Sequence, residues 1–138
     1  MKVVFLSYVF VAIGGALGAI ARFGMNVLLQ RDTVFPWGTL SANLLGCLAM
    51  GVIAYLVAVS TWFNEAGIIP DQYRLLFAIG FCGSFTTLSA LVMEMHTMLS
   101  RGELFDAFAY MTVTMIGGFA FFYGGFVLTR GIMGFANG

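Results

Sequence analysis

Four stretches of this chain, residues 3–21, 33–64, 75–93 and 107–129, contain no charged residue. Each reaches the roughly 18 apolar residues that a helix needs to cross the hydrocarbon core of a bilayer. Composition points the same way. The 138 residues are 61% hydrophobic and 9% charged, whereas a soluble domain carries about 25% charged residues, so this chain has too little polar surface to cover itself in water. The stretches "QRDTVFPWG", "NEAGIIPDQYR" and "SRGELFD" separate the spans with charges and turn-forming residues. The sequence therefore predicts an all-α integral membrane protein. It is a single domain over residues 1–138, with four transmembrane helices at approximately 3–29, 38–63, 74–99 and 105–130.

Several functions are excluded by the same residues. Lys+Arg and Asp+Glu balance at six each, so no basic field invites nucleic acid. No nucleophile, metal cluster or catalytic dyad stands out, and the chain is read as a non-enzyme. Cys47 and Cys82 lie in apolar runs without a CxxC spacing or a neighbouring His, which makes them buried small hydrophobes rather than a disulfide or metal pair. Lys2, an apolar run and "AIA" before Arg22 have the outline of a leader. Gly14 and Gly18, however, form a GxxxG pattern that suits a permanent helix partner.

Charge also bears on orientation. In a four-span arrangement Lys2, Arg74 and Arg130 fall on one side, and Arg31, Arg101 and the end of span one at Arg22 on the other. Positive charges in short loops set topology, and here they nearly cancel, so the chain is expected to insert both ways up. Two oppositely oriented copies would form an antiparallel dual-topology homodimer, the arrangement that inverted repeats achieve within one chain. Four short helices are also few to enclose a pathway, which favours a dimer.

Polar side chains inside lipid are costly, so those in the spans are candidates for function. Arg22 near the end of span one is a snorkelling anchor or a charge drawing anions to a vestibule. Thr39, Asn43, Cys47 and Gly51 share a helix face in span two. The Asn43 amide can glue helices or donate to an anion without a charge of its own. In span three, "GFCGSFTT" is a weak helix sequence, and a non-helical turn around Gly83 to Thr86 is expected there. Such breaks offer carbonyls to cations and N–H groups to anions. Glu94 and His96 are read as a helix end nearing the interface, and Met93, Met95 and Met98 as helix filling. In span four Tyr110, Thr114 and Gly118 form one stripe at i, i+4, i+8 spacing. Phe85 stands inside the expected break, where the electropositive edge of its ring can line an anion's route.

Together, "GGALGAIARF", "WGTLSANLLGCLAMG" and "GFCGSFTTLSALVME" resemble the CrcB/Fluc family of small fluoride channels, in order, spacing and four-span hydropathy. Span four matches more loosely. The resemblance implies a multi-pass protein of the bacterial inner membrane, working as an antiparallel dimer with two fluoride pores and a central structural sodium ion. That Na+ would be held by the main-chain carbonyls of Gly83 and Thr86 from both copies. The fluoride pathway would comprise Asn43, Phe85, Thr86, Thr87, Ser89, Tyr110 and Thr114, with Arg22 toward an entrance. The family usually reads TTFS where this chain has "TTLS", so Leu88 replaces a second pore phenylalanine. Ser84 stands where the family often has glycine.

The function implied is passive export of cytoplasmic fluoride, and so protection from its toxicity. Its partners are the anion, the bilayer and a second copy of the chain. The rival reading is a proton-coupled small-cation transporter, also a four-helix dual-topology dimer. It requires an acidic residue deep in a span, and Glu94 is placed too near a helix end for that. A purely structural membrane subunit would leave Asn43, Arg22 and the break unexplained.

Overall fold

The computed structural model describes residues 2–30, 35–58 and 70–136, and regular structure among them is entirely helical. Helix α1 spans Lys2–Leu29 and α2 spans Trp37–Ala58. Helix α3, residues 70–85, starts as an α turn (Pro70–Tyr73), is wound as a π-helix over Arg74–Cys82 and closes as an α turn at Gly83–Phe85. Helix α4 is Leu88–Ser100 and α5 is Leu104–Ala136. Four segments are long and apolar enough to cross a membrane: Val4–Leu29, Trp37–Val57, Asp71–Ser100 and Leu104–Phe135. The molecule is a multi-pass membrane protein, and α3 with α4 makes one interrupted span.

Two boundaries differ from those expected. Helix α2 is described over Trp37–Ala58, and residues 59–63 of the expected second span lie outside the described residues, as does Arg31. The third span is already helical at Pro70–Tyr73, before the expected start at residue 74. Helix α5 continues past Arg130 to Ala136, because residues 131–136 contain no proline to stop it. At 1.5 Å per residue α5 is about 50 Å long, more than the roughly 30 Å hydrocarbon core, so it must tilt or project.

Backbone contact at glycines pairs the spans. A Cβ on Gly14 would come 2.0 Å from the Leu76 carbonyl oxygen, and one on Gly18 would come 2.2 Å from that of Phe81. The hydrogens in those places point at carbonyls of α3, the close approach that GxxxG permits. Helices α2 and α5 pair likewise, with Gly51 against the Phe122 carbonyl and Gly125 against that of Leu48. The hairpin joining α4 to α5 turns at Gly102, whose φ of 80° favours glycine, and the Arg101 and Glu103 N–H groups both reach the Met98 carbonyl.

Little of the molecule is an interior. Leu40, Leu91, Met98, Ala107 and Tyr110 form a buried cluster where α2, α4 and α5 meet. Large apolar side chains such as Phe5, Ile20, Phe105 and Phe119 stand exposed, as they should where lipid is the solvent. Met98 fills this core and Met95 packs against it, but Met93 is exposed. Cys82 is buried, in agreement with its reading as a buried small hydrophobe, whereas Cys47 is only half-buried; both are free thiols.

The glycine contacts predict that Gly18→Leu destabilises the folded protein in detergent by about 1–3 kcal/mol or more, the cost of overpacking. Gly24→Ala, where a Cβ meets nothing within 4 Å, is expected to leave the unfolding midpoint unchanged or slightly raised. Thermal unfolding of the two purified variants checks this.

Candidate functional site: the interrupted third span

The helix breaks at Thr86 and Thr87. Thr86 has φ −83°, ψ 153° and Thr87 has φ −153°, ψ 123°, both extended. This corrects the expectation of a turn over Gly83 to Thr86, since Gly83 keeps helical angles of −62° and −31°. The glycines of "GFCGSF" therefore do not interrupt the backbone. Gly80 serves packing, because a Cβ there would sit 2.9 Å from the Gly14 Cα. Two β-branched residues in tandem, poor helix formers, stand at the break, but their propensity does not make it by itself.

Asn43 of α2 holds it open. Its Oδ1 accepts from the Thr87 N–H at 2.7 Å, and its Nδ2 donates to the Thr87 carbonyl at 3.2 Å. One buried carboxamide thus satisfies both backbone groups of an extended residue, as a neighbouring strand would. The Thr87 hydroxyl caps α4 by accepting from the Ala90 N–H at 3.1 Å, and it also pairs with Ser89 Oγ at 3.1 Å.

These substitutions have a consequence for two carbonyls. In a continuous helix the Thr87 N–H would bond to Gly83 O and the Ala90 N–H to Thr86 O. Both donors are diverted, to Asn43 and to the Thr87 hydroxyl, so among the described residues no hydrogen-bond donor reaches Gly83 O or Thr86 O. A pair of main-chain oxygens without donors at membrane depth suits a hard, oxygen-preferring cation.

Beside the break lies a cavity of about 430 Å³, with Asn43, Thr86, Thr87 and Thr114 on its polar part and Leu88, Leu91 and Phe119 among its apolar lining. Leu88 is 66% exposed and Phe119 70%, so this hollow opens at the molecule's outer surface. Most hydroxyl protons around it are already spent. The Thr86 hydroxyl donates to Cys82 O at 2.8 Å, and that of Thr114 to Tyr110 O at 2.7 Å. The remaining donors include the second hydrogen of the Asn43 amide, the Tyr123 hydroxyl on the lining, one proton of the Thr87–Ser89 pair, and the N–H groups of Leu88 and Ser89. The last two begin α4 and have no acceptor among the described residues. They lie at the positive end of the α4 dipole.

The structure thus brings Asn43, Thr86, Thr87, Leu88 and Thr114 together, with Ser89 beside Thr87. Phe85 is not in the cavity wall. It is buried and stacked on Phe81, ring centroids 5.5 Å apart. Tyr110 is also fully buried, away from the wall. Arg22 is half-buried on α1 with no ion-pair partner among the described residues, and it too lies outside the cavity lining.

Glu94 is the residue that the sequence reading underrated. It is not a helix end meeting solvent. Its Oε1 accepts from the Thr39 hydroxyl at 2.6 Å and its Oε2 from the Tyr110 hydroxyl at 2.7 Å, joining α2, α4 and α5. Both bonds are short and lie within the usual range for hydroxyl donors on oxygen. Thr39 and Asn43, one turn apart on α2, therefore both fasten the half-span that follows the break. The available signal was a lone carboxylate inside a span together with two hydroxyl-bearing residues on the neighbouring spans. His96, by contrast, is exposed.

Fold and site define a class: a small four-span membrane protein with one interrupted helix, a polar-floored cavity beside the interruption and no cluster of three or more metal-ligating side chains among the described residues. The chain belongs to the family described as CrcB-like protein, Camphor Resistance (CrcB), whose match covers residues 9–126. It is 40% identical over 134 residues to the fluoride-specific ion channel FluC of Paracoccus denitrificans, covering 96% of this chain and 98% of that one. It is 39% identical over 127 residues to the protein of the same name from Prosthecochloris aestuarii, covering 91% and 94%. The FluC of Chlorobium phaeobacteroides strain BS1 is 38% identical over 121 residues, covering 87% and 90%.

The Glu94 contacts give a ranked prediction. Tyr110→Phe leaves a part-buried Glu94 oxygen without its donor and should cost about 1–3 kcal/mol. Glu94→Ala strands the Thr39 and Tyr110 hydroxyls together and should cost more. Chemical unfolding of both variants in detergent tests the order.

Proposed function

We propose that this chain is a fluoride-selective channel that lets cytoplasmic fluoride leave passively across the bacterial inner membrane, protecting the cell from its toxicity. The observation that carries the reading is the polar wall beside the break. There Asn43, Thr87 and the first N–H groups of α4 offer uncharged donors to a small anion, in a chain whose relatives are named for fluoride conduction. Fluoride holds water tightly, so its path must replace that water with donors yet bind weakly enough to release it. Neutral donors do this without trapping the ion as a fixed cation would. Arg22 acts earlier, drawing anions toward an entrance, while the hydroxyls of Thr86, Thr114, Ser89 and Tyr110 line or support the route. The buried Phe85, stacked on Phe81, contributes by packing beside the break.

The functional unit in this reading is an antiparallel dual-topology homodimer. A cavity floored by Asn43 and Thr87 and opening outward past Leu88 and Phe119 would otherwise place polar groups against lipid, a costly arrangement. A second copy covers it. The donor-free carbonyls of Gly83 and Thr86 fit a structural sodium ion shared between copies, which when bound supplies a fixed positive charge at the dimer centre. Gly83 is exposed.

The rival proton-coupled transporter needs an accessible acidic residue within a span. Glu94 does lie within a span, but each of its oxygens accepts a hydroxyl from a neighbouring helix, Thr39 on α2 and Tyr110 on α5, which assigns it to joining helices.

Liposomes loaded with fluoride, with chloride as control, test the proposal through electrode-measured efflux. Fluoride efflux without chloride efflux is expected; silence for both ions contradicts a channel, and equal rates contradict selectivity. Asn43→Asp should reduce fluoride flux by on the order of a hundredfold or more, since like charges 4 Å apart repel by about 4 kcal/mol at an effective dielectric of 20. Leu88→Phe should raise throughput if the absent ring limits it, and an unchanged rate would mark Leu88 as neutral.

A further inference from the structure

We infer that Asn43 and Thr87 are positioning residues for the cation site, acting by diverting the two N–H groups that would otherwise close the Gly83 and Thr86 carbonyls. The inference rests on the sodium reading above and assigns these side chains a second duty beyond meeting the anion.

The argument is a count of donors. A helix passing through residues 83–90 has one N–H for each of these carbonyls, from Thr87 and from Ala90. The Asn43 Oδ1 takes the first at 2.7 Å and the Thr87 Oγ1 takes the second at 3.1 Å. Both capturing atoms are side-chain oxygens, and each accounts for one released carbonyl. The Asn43 Nδ2 completes the clamp by donating to the Thr87 carbonyl at 3.2 Å, which holds Thr87 extended and out of helical register. Thr86 fixes the other flank, with its N–H and its hydroxyl both on Cys82 O, at 3.0 and 2.8 Å. Asn43 also lines the cavity, so one carboxamide touches both the anion's wall and the cation's ligands. Anion pathway and cation site are therefore coupled through a single side chain.

The consequence is specific. Without Asn43 the Thr87 N–H is free to regain Gly83 O as its acceptor; without the Thr87 hydroxyl the Ala90 N–H has no acceptor until Thr87 turns helical and brings it to Thr86 O. Either change favours closing one carbonyl against the cation while leaving the carbonyl-bearing residue unsubstituted. A side chain that merely held helices together would lower stability equally with and without the cation.

The test measures the unfolding temperature of the purified full-length protein in detergent, across a Na+ titration with N-methylglucamine as the replacement cation. The wild type is expected to rise with Na+. Asn43→Leu and Thr87→Val should each shift the midpoint of that rise to roughly tenfold higher Na+, about the value of one lost hydrogen bond. Thr87→Ser, which keeps the capping oxygen, should respond as the wild type does. So should Thr97→Val, whose hydroxyl only bonds back to the Met93 carbonyl. A wild-type Na+ midpoint in both Asn43→Leu and Thr87→Val overturns the inference. If Asn43→Leu does not fold, the Thr87→Val and Thr87→Ser pair decides it alone. No Na+ response in the wild type overturns the sodium reading itself, an outcome distinct from failure of the positioning role.

Discussion

The site depends on one buried carboxamide standing in for a helix. Asn43 gives the Thr87 N–H and carbonyl the partners that the third span denies them. An extended residue in mid-membrane would otherwise leave two polar groups unsatisfied, each costing several kcal/mol. With the clamp in place, the interruption becomes tolerable, α4 starts afresh with a cap and free N–H groups, and the Gly83 and Thr86 carbonyls lose their donors. The cavity, the donors facing it and the candidate cation ligands all follow from that exchange.

The rest of the fold brings the clamp into register. Glycine seams seat α1 on α3 and α2 on α5 at backbone distance, so small errors in helix position are not absorbed by flexible side chains. One turn from Asn43, Thr39 bonds to Glu94, and Glu94 bonds in turn to Tyr110. That network ties the half-span after the break to both its neighbours. It lets a short helix of residues 88–100 stay upright without continuity to the segment before it. The carboxylate is structural here, although lone acids within spans more often mark proton or ion relays.

Much of this was legible in the sequence. The spans were, because absence of charge is a property of each segment alone. The family was legible from three motifs in order, and it directed attention to Asn43 and to the threonines. The position of the break was not. Gly80 and Gly83 looked like the breakers, but a glycine interrupts a helix only where a better arrangement exists for its backbone, and Gly80 is there to meet α1. What extends Thr86 and Thr87 is an acceptor 44 residues earlier in the chain, and no local propensity records it. Nor does any local pattern announce the π winding of residues 74–82 or the two hydroxyls that claim Glu94. Tyr110 and Phe85 illustrate a further limit. Their types suited a pathway, while their positions, one fully buried and the other stacked on Phe81, keep them out of the cavity lining.

The central claim is that Asn43 keeps Thr86 and Thr87 out of the helix, and solid-state NMR of labelled protein in lipid reads this directly. The Cα and Cβ shifts of both threonines should be extended in the wild type, and Thr87 should turn helical in Asn43→Leu. Helical shifts in the wild type, or extended shifts that survive the substitution unchanged, would contradict it.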